Sequence, residues 1–285
     1  MTVTLVSIVK NEEAALPRLL DSVKDLIDNY CIVDTGSTDG TVEVLEDYGI
    51  APHRREWVSF GHNLTEAFSL AKDRGNWLLR LDADMTIEAY PGLKNWLRDE
   101  ACADGYNVEL CESGTSWRLP LLVRGGLDWR YVGPTHEYLD ADGRSFRDLT
   151  GLKVIHHADG TNRAEKFERD IALLAEGVKQ GDARSIFYTA ESLRCLGMVP
   201  EAVEMFDRRA RLMGSWEEEA WYAEYRAGVC MLDIDPEDGI KRLLAAHNRR
   251  PSRAESLFAI ENWCSQHRTR ALSQDALFVE QSAYL

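Results

Sequence analysis

Two carboxylates lie two residues apart in Asp82-Ala83-Asp84, directly after the apolar run Trp77 to Leu81. Side chains at positions i and i+2 of an extended segment point the same way, so both carboxylates face one side. Hard oxygen ligands of this kind suit a divalent cation such as Mg²⁺ or Mn²⁺. A cation held there would bridge the phosphates of a nucleotide diphosphate and stabilise it as a leaving group. The competing interpretation is a turn that Asp82 caps, with Asp84 solvated.

Polar residues also follow two earlier apolar runs. The segment Asn11 to Glu13 comes after Val3 to Val9, and the segment Asp34 to Asp39 comes after Tyr30 to Val33. Short, β-branched apolar runs of this type predict strands. Ligands of parallel α/β sheets bind outside the carboxyl ends of the strands. We therefore expect these two polar segments and the carboxylate pair to converge on one edge of a sheet.

Helical and extended patterns alternate through this part of the chain. Apolar residues at helical spacing predict helices over Leu16 to Val23, Thr41 to Tyr48 and Phe60 to Ala71. The alternation predicts an α/β domain with a parallel sheet and helices on both faces. From Tyr106 to Val132, and again around Leu152 to His157, shorter extended pieces predict mixed or antiparallel strands at the edge of the sheet.

The composition changes after Asp159-Gly160, and the remainder is nearly all helical pattern. We expect two domains, residues 1–160 and 161–285. In the second, a helix, a turn at Gly197 and another helix recur around Gly228, a spacing of about 34 residues that is typical of tetratricopeptide-type helical pairs. The second domain is therefore predicted to be an all-α helical-repeat domain.

Bulk properties exclude several classes of protein. The formal net charge of −15 argues against a general nucleic-acid binder. The six cysteines form no CxxC pair, so neither a disulfide framework nor a zinc site is predicted. No apolar run approaches the roughly 18 residues of a membrane span, and the first ten residues lack a secretory signal. We expect a cytoplasmic chain that does not insert into a membrane.

Three segments together resemble a known family. They are TLVSIVKNEEAALPRLLDSV at residues 4–23, IVDTGSTDGTVEVL at 32–45 and WLLRLDADM at 77–85. They look like the N-terminal half of family 2 glycosyltransferases, whose GT-A fold is a nucleotide-sugar-binding α/β domain with a Rossmann-like mixed sheet. The similarity is close over residues 3 to 90 and looser through His157. The helical tail resembles the tetratricopeptide-like extension of a subset of that family.

The resemblance implies a set of residues that hold a UDP-sugar. They are Ser7, Val9, Asn11, Glu12, Asp34, Gly36, Asp39, Asn63, Arg80, Asp82 and Ala83. Asp34, at a strand end, can accept hydrogen bonds from a base or ribose, whereas Asp39 suits a helix cap equally well. Residues 57–63 resemble a family segment in which arginine precedes the asparagine. His62 stands in that place here, so only Asn63 is carried over.

The resemblance also implies catalytic and further metal-binding residues. GPTHEYL, residues 133–139, lies where the family places an acidic catalytic residue, so Glu137 is the expected general base. His136 is the alternative base or an acceptor contact. A histidine near the end of the domain often joins the carboxylate pair at the metal, which His156 or His157 would do here. Adjacent strand residues face opposite ways, so only one imidazole can join, and we favour His156.

The activity implied by the resemblance is transfer of a hexose from a UDP-sugar, with inversion, with Mn²⁺ or Mg²⁺ as the cofactor. Helical repeats commonly form concave surfaces for peptides, so we expect a hydroxyl or thiol of a protein or peptide as the acceptor. They also leave open a homodimer formed through the helical domain. Alternative acceptors are a hydroxylated DNA base, a saccharide or a lipid-linked glycan. The alternative function is a non-catalytic helical-repeat scaffold.

Overall fold

The computed structural model describes residues 1–159 and 163–267. The chain forms two compact units, Met1–Thr161 and Asn162–Leu285. The domain boundary predicted between residues 160 and 161 lies outside the described residues.

The first unit contains a large sheet, a small sheet and four helices in its described part. The strands are β1 Val3–Val9, β2 Asn29–Asp34, β3 His53–Arg54, β4 Trp77–Arg80, β5 Met85–Ala89, β6 Gly105–Glu112, β7 Thr115–Arg124, β8 Arg130–Val132, β9 Tyr138–Asp140 and β10 Phe146–His156. The helices are α1 Leu16–Val23, α2 Thr41–Asp47, α3 Phe60–Ala71 and α4 Leu93–Asp99. This is the mixed α/β domain that the sequence predicts.

Strand β1 is central to the arrangement that positions the candidate site. The large sheet has the order β3-β2-β1-β4-β7-β6-β10-β5. Strand β1 pairs in parallel with β2 on one side and β4 on the other, and the register places Val9 beside Asp34. The carboxyl ends of these three strands therefore meet at one edge, which confirms the predicted convergence of the polar segments.

The prediction of edge strands after residue 105 is wrong in one respect. Strands β6 and β7 lie inside the sheet, where β7 is antiparallel to both β4 and β6, and β6 is parallel to β10. The edges are β3 and β5, two short strands that the apolar pattern does not reveal. The β7 strand is buried at Leu121 to Val123, where it pairs with β4, and exposed at residues 115–118. A half-exposed strand has the composition of an edge strand, which explains the error.

Helices cover both faces of the central strands, as predicted. In β1, Leu5 packs in one buried cluster and Val6 in another, because successive side chains point to opposite faces. The first cluster includes the buried leucines of α1, α2 and α4. The second includes Leu64 and Phe68 of α3 together with Tyr131 of β8. Strands β8 and β9 form a separate antiparallel pair.

The described part of the second unit is helical throughout its regular elements. The helices are α5 Arg163–Gln180, α6 Ala183–Cys195, α7 Val199–Arg211, α8 Glu217–Met231 and α9 Pro236–Arg249, and residues 255–267 are also helical. Helix α8 begins 34 residues after α6, which agrees with the predicted period. Across residues 1–159 and 163–267, no helix is both long and apolar enough to cross a bilayer.

Glycine plays different parts in the two helical pairs. Gly197 has φ +78 in the turn between α6 and α7, as predicted. Gly228, which the sequence suggests as the second turn, instead lies within α8. A Cβ on Gly228 would come within 2.8 Å of Cγ of Leu243 in α9. This glycine therefore permits close helix packing, and residues 232–235 form the connection.

Candidate functional site

The loops after β1 and β2 are clasped together at the carboxyl edge of the sheet. The Thr38 backbone N–H donates to Asn11 Oδ1 at 2.7 Å, and the Asn11 N–H donates to Ser37 Oγ at 3.0 Å. The Glu12 N–H donates to Thr41 Oγ1 at 2.7 Å. Asn11 has φ 58, in the left-handed region that asparagine tolerates better than most residues. Asn11 and Glu12, which are predicted to bind the UDP-sugar, are thus held beside the loop that follows β2.

Asp34 and Asp39 have different surroundings within that loop. Asp34 is only 4% exposed, and its carboxylate accepts hydrogen bonds from the N–H groups of Gly36 and Ser37. Gly36 has φ +98 and open space where a side chain would lie, so the backbone there remains accessible. Asp39 accepts from the N–H of Thr41, the first residue of α2, at 3.1 Å. Of the two predicted ligand contacts, Asp39 has the clearer structural role.

Ser7 and Val9 are buried within β1, with exposed fractions of 0% and 2%. The Val9 carbonyl accepts a hydrogen bond from the N–H of Thr35. The Ser7 hydroxyl is buried and has no hydrogen-bond partner among the described residues. Their assignment to the donor-binding set stays a prediction.

The carboxylate pair lies in the turn between β4 and β5, so the extended conformation predicted for it is wrong. The Met85 N–H donates to the Asp82 carbonyl at 3.1 Å, which closes the turn. Ala83 is buried, whereas the side chains of Asp82 and Asp84 are 38% and 21% exposed. Asp84 Oδ2 lies 2.9 Å from Nε2 of His156. The turn therefore buries the alanine and leaves both carboxylates facing the carboxyl edge.

His156, and not His157, reaches the carboxylates. Its Nδ1 atom lies 3.1 Å from Glu112 Oε2, so the imidazole is held between Glu112 and Asp84. The hydrogen bond to Asp84 raises the pKa of His156 to about 9, although partial burial opposes the shift. His157 Nε2 instead lies 2.9 Å from Thr86 Oγ1. No sequence motif points to Glu112, which precedes His156 by 44 residues.

Negative charge is crowded around Glu12. Burial, together with the carboxylates of Asp84, Asp82 and Asp39, raises the pKa of Glu12 from 4.5 to about 7. Like charges disfavour ionisation of a neighbouring acid. The edge of the sheet therefore has an acidic surplus that a bound cation would relieve.

The side chains at this edge of the sheet offer ligand atoms that fit a hard divalent cation. Asp82 and Asp84 offer carboxylate oxygens, and His156 offers an imidazole that also suits such ions. Within residues 1–159 and 163–267, no three His, Cys, Asp or Glu side chains are already gathered closely enough to hold a metal. Mg²⁺ is usually bound by one or two carboxylates plus substrate phosphates, and this partial set matches that pattern.

Glu137 lies in a buried ion pair opposite the carboxylate turn. Its Oε1 atom accepts a hydrogen bond from Arg80 Nη2 at 2.9 Å, and the same Nη2 atom lies 3.4 and 3.5 Å from the two Asp82 oxygens. The side chains of Glu137 and Arg80 are 9% and 16% exposed. Burial raises the pKa of Glu137, while the Arg80 guanidinium opposes the shift. Neighbouring His136 has φ 48, which shapes the turn that presents Glu137.

The start of α3 braces the loop that carries Glu137. The Phe60 N–H donates to the Pro134 carbonyl at 3.0 Å. A Cβ added to Gly61 would come within 2.2 Å of the Gly133 carbonyl oxygen, so only glycine permits this approach. Thr65 Oγ1 accepts a hydrogen bond from the Tyr131 N–H. Helix α3 therefore sets the position of the candidate base.

Asn63 is directed into the protein. It is fully buried, its Oδ1 atom accepts from the N–H groups of Val58 and Ser59, and its Nδ2 donates to the Glu56 carbonyl. The side chain thus shapes the loop before α3. A contact between Asn63 and a donor phosphate stays a prediction.

Comparison with known proteins agrees with the family resemblance. A TPR repeat-containing protein of Synechococcus elongatus is 35% identical over 144 residues, which are 48% of this chain and 35% of that protein. An uncharacterized glycosyltransferase of Rickettsia felis is 36% identical over 77 residues, 27% of this chain and 26% of that protein. The aligned part thus spans about a third or less of each curated relative.

Two solved structures have a partly similar course of the chain. The crystal structure of S. aureus TarS residues 1–349 gives a TM-score of 0.49 at 14% identity, over 88% of this chain and 92% of that chain. Glucosyl-3-phosphoglycerate synthase from Mycobacterium tuberculosis, in complex with Mn²⁺ and UDP-glucose, gives 0.29 at 26% identity, over 39% and 43%.

The family itself is established by a match that covers most of the first unit. A family model described as Glycosyl transferase family 2 matches residues 4–168, more than half of the chain. The matched range includes both clasped loops, the carboxylate turn, Glu137 and His156. The chain therefore belongs to glycosyl transferase family 2.

Proposed function

We propose that this chain transfers a hexose from a UDP-sugar in a reaction that depends on a divalent cation. The observation that carries the proposal is that Asp34 ends β2 and that Asp82 and Asp84 follow β4, the two strands that flank β1 in parallel, so these carboxylates lie at the same edge of the sheet. Membership of glycosyl transferase family 2 supports the same chemistry. Asp34 and the open backbone at Gly36 are suited to the uracil and ribose, as the resemblance implies.

Asp82, Asp84 and His156 would hold Mg²⁺ or Mn²⁺ together with the donor phosphates. The bound ion would neutralise charge that develops on the departing diphosphate. Asp84 is held by His156, which is itself fixed by Glu112, so one carboxylate is already oriented. Glu12 adds negative charge to the same edge, which favours a cation there.

Glu137 is the proposed general base. The acceptor hydroxyl or thiol gives its proton to the Glu137 carboxylate while its oxygen or sulfur bonds to the anomeric carbon. The bond from that carbon to the diphosphate oxygen breaks, and UDP leaves with the electron pair. Attack from the side opposite UDP inverts the anomeric centre. His136, next to Glu137 in the same turn, is the proposed acceptor contact or alternative base.

A protein or peptide is the proposed acceptor. The support is indirect: the second unit is built of helical pairs, and such repeats commonly present peptide-binding surfaces. A saccharide, a lipid-linked glycan or a hydroxylated DNA base is the alternative acceptor, and the net charge of −15 counts against DNA. A homodimer through the helical unit and a cytoplasmic location stay predictions.

The proposed activity is tested by release of UDP from a panel of UDP-sugars, with Mn²⁺ or with chelator. Many transferases hydrolyse their donor slowly without acceptor, so the acceptor need not be known. We expect metal-dependent release from one sugar, loss of release in Asp84→Ala and normal release in Asp99→Ala. Asp99 is an exposed aspartate paired with Arg98 on α4, which makes it a matched control. No release from any sugar, with no rise in melting temperature on adding UDP and Mn²⁺, would favour the scaffold function.

A further inference from the structure

One guanidinium connects the two halves of the site. Arg80 Nη2 donates to Glu137 at 2.9 Å and lies 3.4 Å from the nearer oxygen of Asp82. The Arg80 Nε atom is buried and has no hydrogen-bond partner in the described part of the chain. The guanidinium lies 5.3 Å from the centre of the Tyr131 ring, which forms its platform. Arg80 is therefore packed in place and shared between two acids.

Arg80 is shared by Glu137 and Asp82, so these three side chains carry one more negative than positive charge. Glu137 is 9% exposed, and a carboxylate that is so deeply buried needs a counter-ion. Asp82 is 38% exposed and makes the longer contact with Arg80. Two carboxylates face one guanidinium, so Arg80 cannot fully compensate both. The shorter and more buried contact makes Glu137 its main partner.

A cation bound to Asp82 would change this balance. With the charge of Asp82 neutralised, its attraction for Arg80 would weaken, and Arg80 would pair with Glu137 alone. We propose that Arg80 is a positioning residue that holds Glu137 in place and releases Asp82 when a cation binds. The inference rests on the proposed function, because it assigns Asp82 to the cation and Glu137 to the acceptor.

The planar guanidinium suits this task better than an ammonium group does. It lies over Tyr131 and presents several N–H groups in a fixed fork, whereas lysine offers a single point charge on a flexible stem. Arg80→Lys therefore keeps the counter-charge for Glu137 and loses the fixed geometry. Arg80→Met removes both.

The test measures UDP release and its Mn²⁺ dependence for Arg80→Met and Arg80→Lys. We expect kcat to fall about 100-fold in Arg80→Met and about tenfold in Arg80→Lys, because the base is misplaced in both. The resemblance places Arg80 among the residues that hold the UDP-sugar, whereas this inference assigns it to Glu137, so the KM for the UDP-sugar should stay within about twofold. The Mn²⁺ concentration for half-maximal activity should fall or stay the same, because a competing cation has been removed from Asp82. Arg98→Met, an exposed arginine on α4, is the control.

A second variant guards against simple misfolding. Arg80→Met leaves Glu137 buried without its partner, whereas Arg80→Met combined with Glu137→Gln removes both charges. We expect the double variant to regain most of the lost melting temperature, with a kcat no lower than that of the Glu137→Gln variant. If the kcat of Arg80→Met equals that of wild type, or if the fall in kcat comes with a higher Mn²⁺ concentration for half-maximal activity, this inference is wrong. The proposed function would stand in either case. If the wild-type chain releases no UDP, the proposed function fails and this inference fails with it.

Discussion

Individual side chains at the carboxyl edge compete for too little positive charge. Glu12 shows this most clearly, because burial and the carboxylates of Asp84 and Asp82 raise its pKa to about 7. A cation would lower the electrostatic cost for the whole group.

We expect Glu12→Gln to stabilise the metal-free protein more at pH 8 than at pH 5. The folded-state pKa of Glu12 is raised from 4.5 to about 7, so its protonation favours folding below pH 4.5. That contribution is lost as the pH rises through about 7, and Gln mimics the neutral form at every pH. Melting temperatures in chelator at both pH values measure the difference. Exposed Glu46→Gln is the control for the substitution itself. An equal change in melting temperature at both pH values for Glu12→Gln would refute the crowding.

We expect the affinity for Mg²⁺, measured with UDP bound, to rise between pH 7.5 and 9. The pKa of His156 is raised to about 9 by its hydrogen bond to Asp84, so the imidazole is protonated over most of this range. An imidazole must be neutral to bind a metal ion, so binding through His156 requires loss of that proton. The rise should be at most about tenfold per pH unit for one proton and absent in His156→Ala. Equal slopes in both proteins would show that His156 is not a ligand.

At the scale of elements, α3 packs closely against the loop that carries Glu137, because Gly61 has no side chain. We expect Gly61→Ala to destabilise the fold by about 2 kcal/mol, because a new Cβ would meet the Gly133 carbonyl at 2.2 Å and force the backbone to shift. UDP release should fall as well, since the loop carries Glu137. Urea unfolding and turnover measure both effects. Ser69→Ala on the exposed side of α3 is the control, and unchanged stability in Gly61→Ala would contradict the close approach.

A buried ion pair joins α7 to the start of α8. Arg209 is 0% exposed, and its Nε donates to Glu219 Oε1 at 2.7 Å. Among the described residues, Arg209 is the nearest cation to the buried Glu219 carboxylate, at 2.7 Å against 3.9 Å for Arg184. Arg209→Met removes that cation, and we expect a loss of roughly 3 kcal/mol in the free energy of unfolding. Arg211→Met, whose side chain is 80% exposed, should cost almost nothing. Urea titration compares the two variants, and an equal loss in both would refute the special role of the buried pair.

Helices and strands with a clear apolar pattern of their own could be predicted from the sequence. Contacts between residues far apart in the chain could not. The spans of β1 and α3 agree with the apolar patterns at Val3 to Val9 and Phe60 to Ala71. Strand β5 is five residues long and only partly buried, so its pattern is too weak to detect. The pairing of β6 with β10 depends on tertiary packing that no local pattern encodes.

Some parts of the candidate site could also be predicted from the sequence, and others could not. The carboxylate turn and the loops near Asn11 and Asp34 follow from strand ends, which the sequence marks with polar residues. The partner of Glu137 is Arg80, which is 57 residues away in the chain. The apolar periodicity of helices and strands carries no information about such a distant pair. Strand alternation predicts that only one of His156 and His157 faces the site, and the contact between His156 and Asp84 agrees with the preference for His156.

At the scale of the whole molecule, a family 2 glycosyltransferase unit is followed by helical pairs. The proposed donor site and the proposed base Glu137 lie within the first unit, and the proposed docking of a protein acceptor belongs to the second. The two proposals are independent, so a donor site that works would leave the acceptor open. The central claim is therefore the cation-dependent binding of UDP.

Calorimetric titration of the whole chain with UDP tests that claim most directly. We predict measurable binding with Mn²⁺ present, loss of binding in chelator and in Asp84→Ala, and normal binding in Asp99→Ala. Binding of UDP with the same affinity in chelator, or its survival in Asp84→Ala, would contradict the assignment of the carboxylate turn to the cation. Absence of UDP binding under every condition would contradict the donor site as a whole.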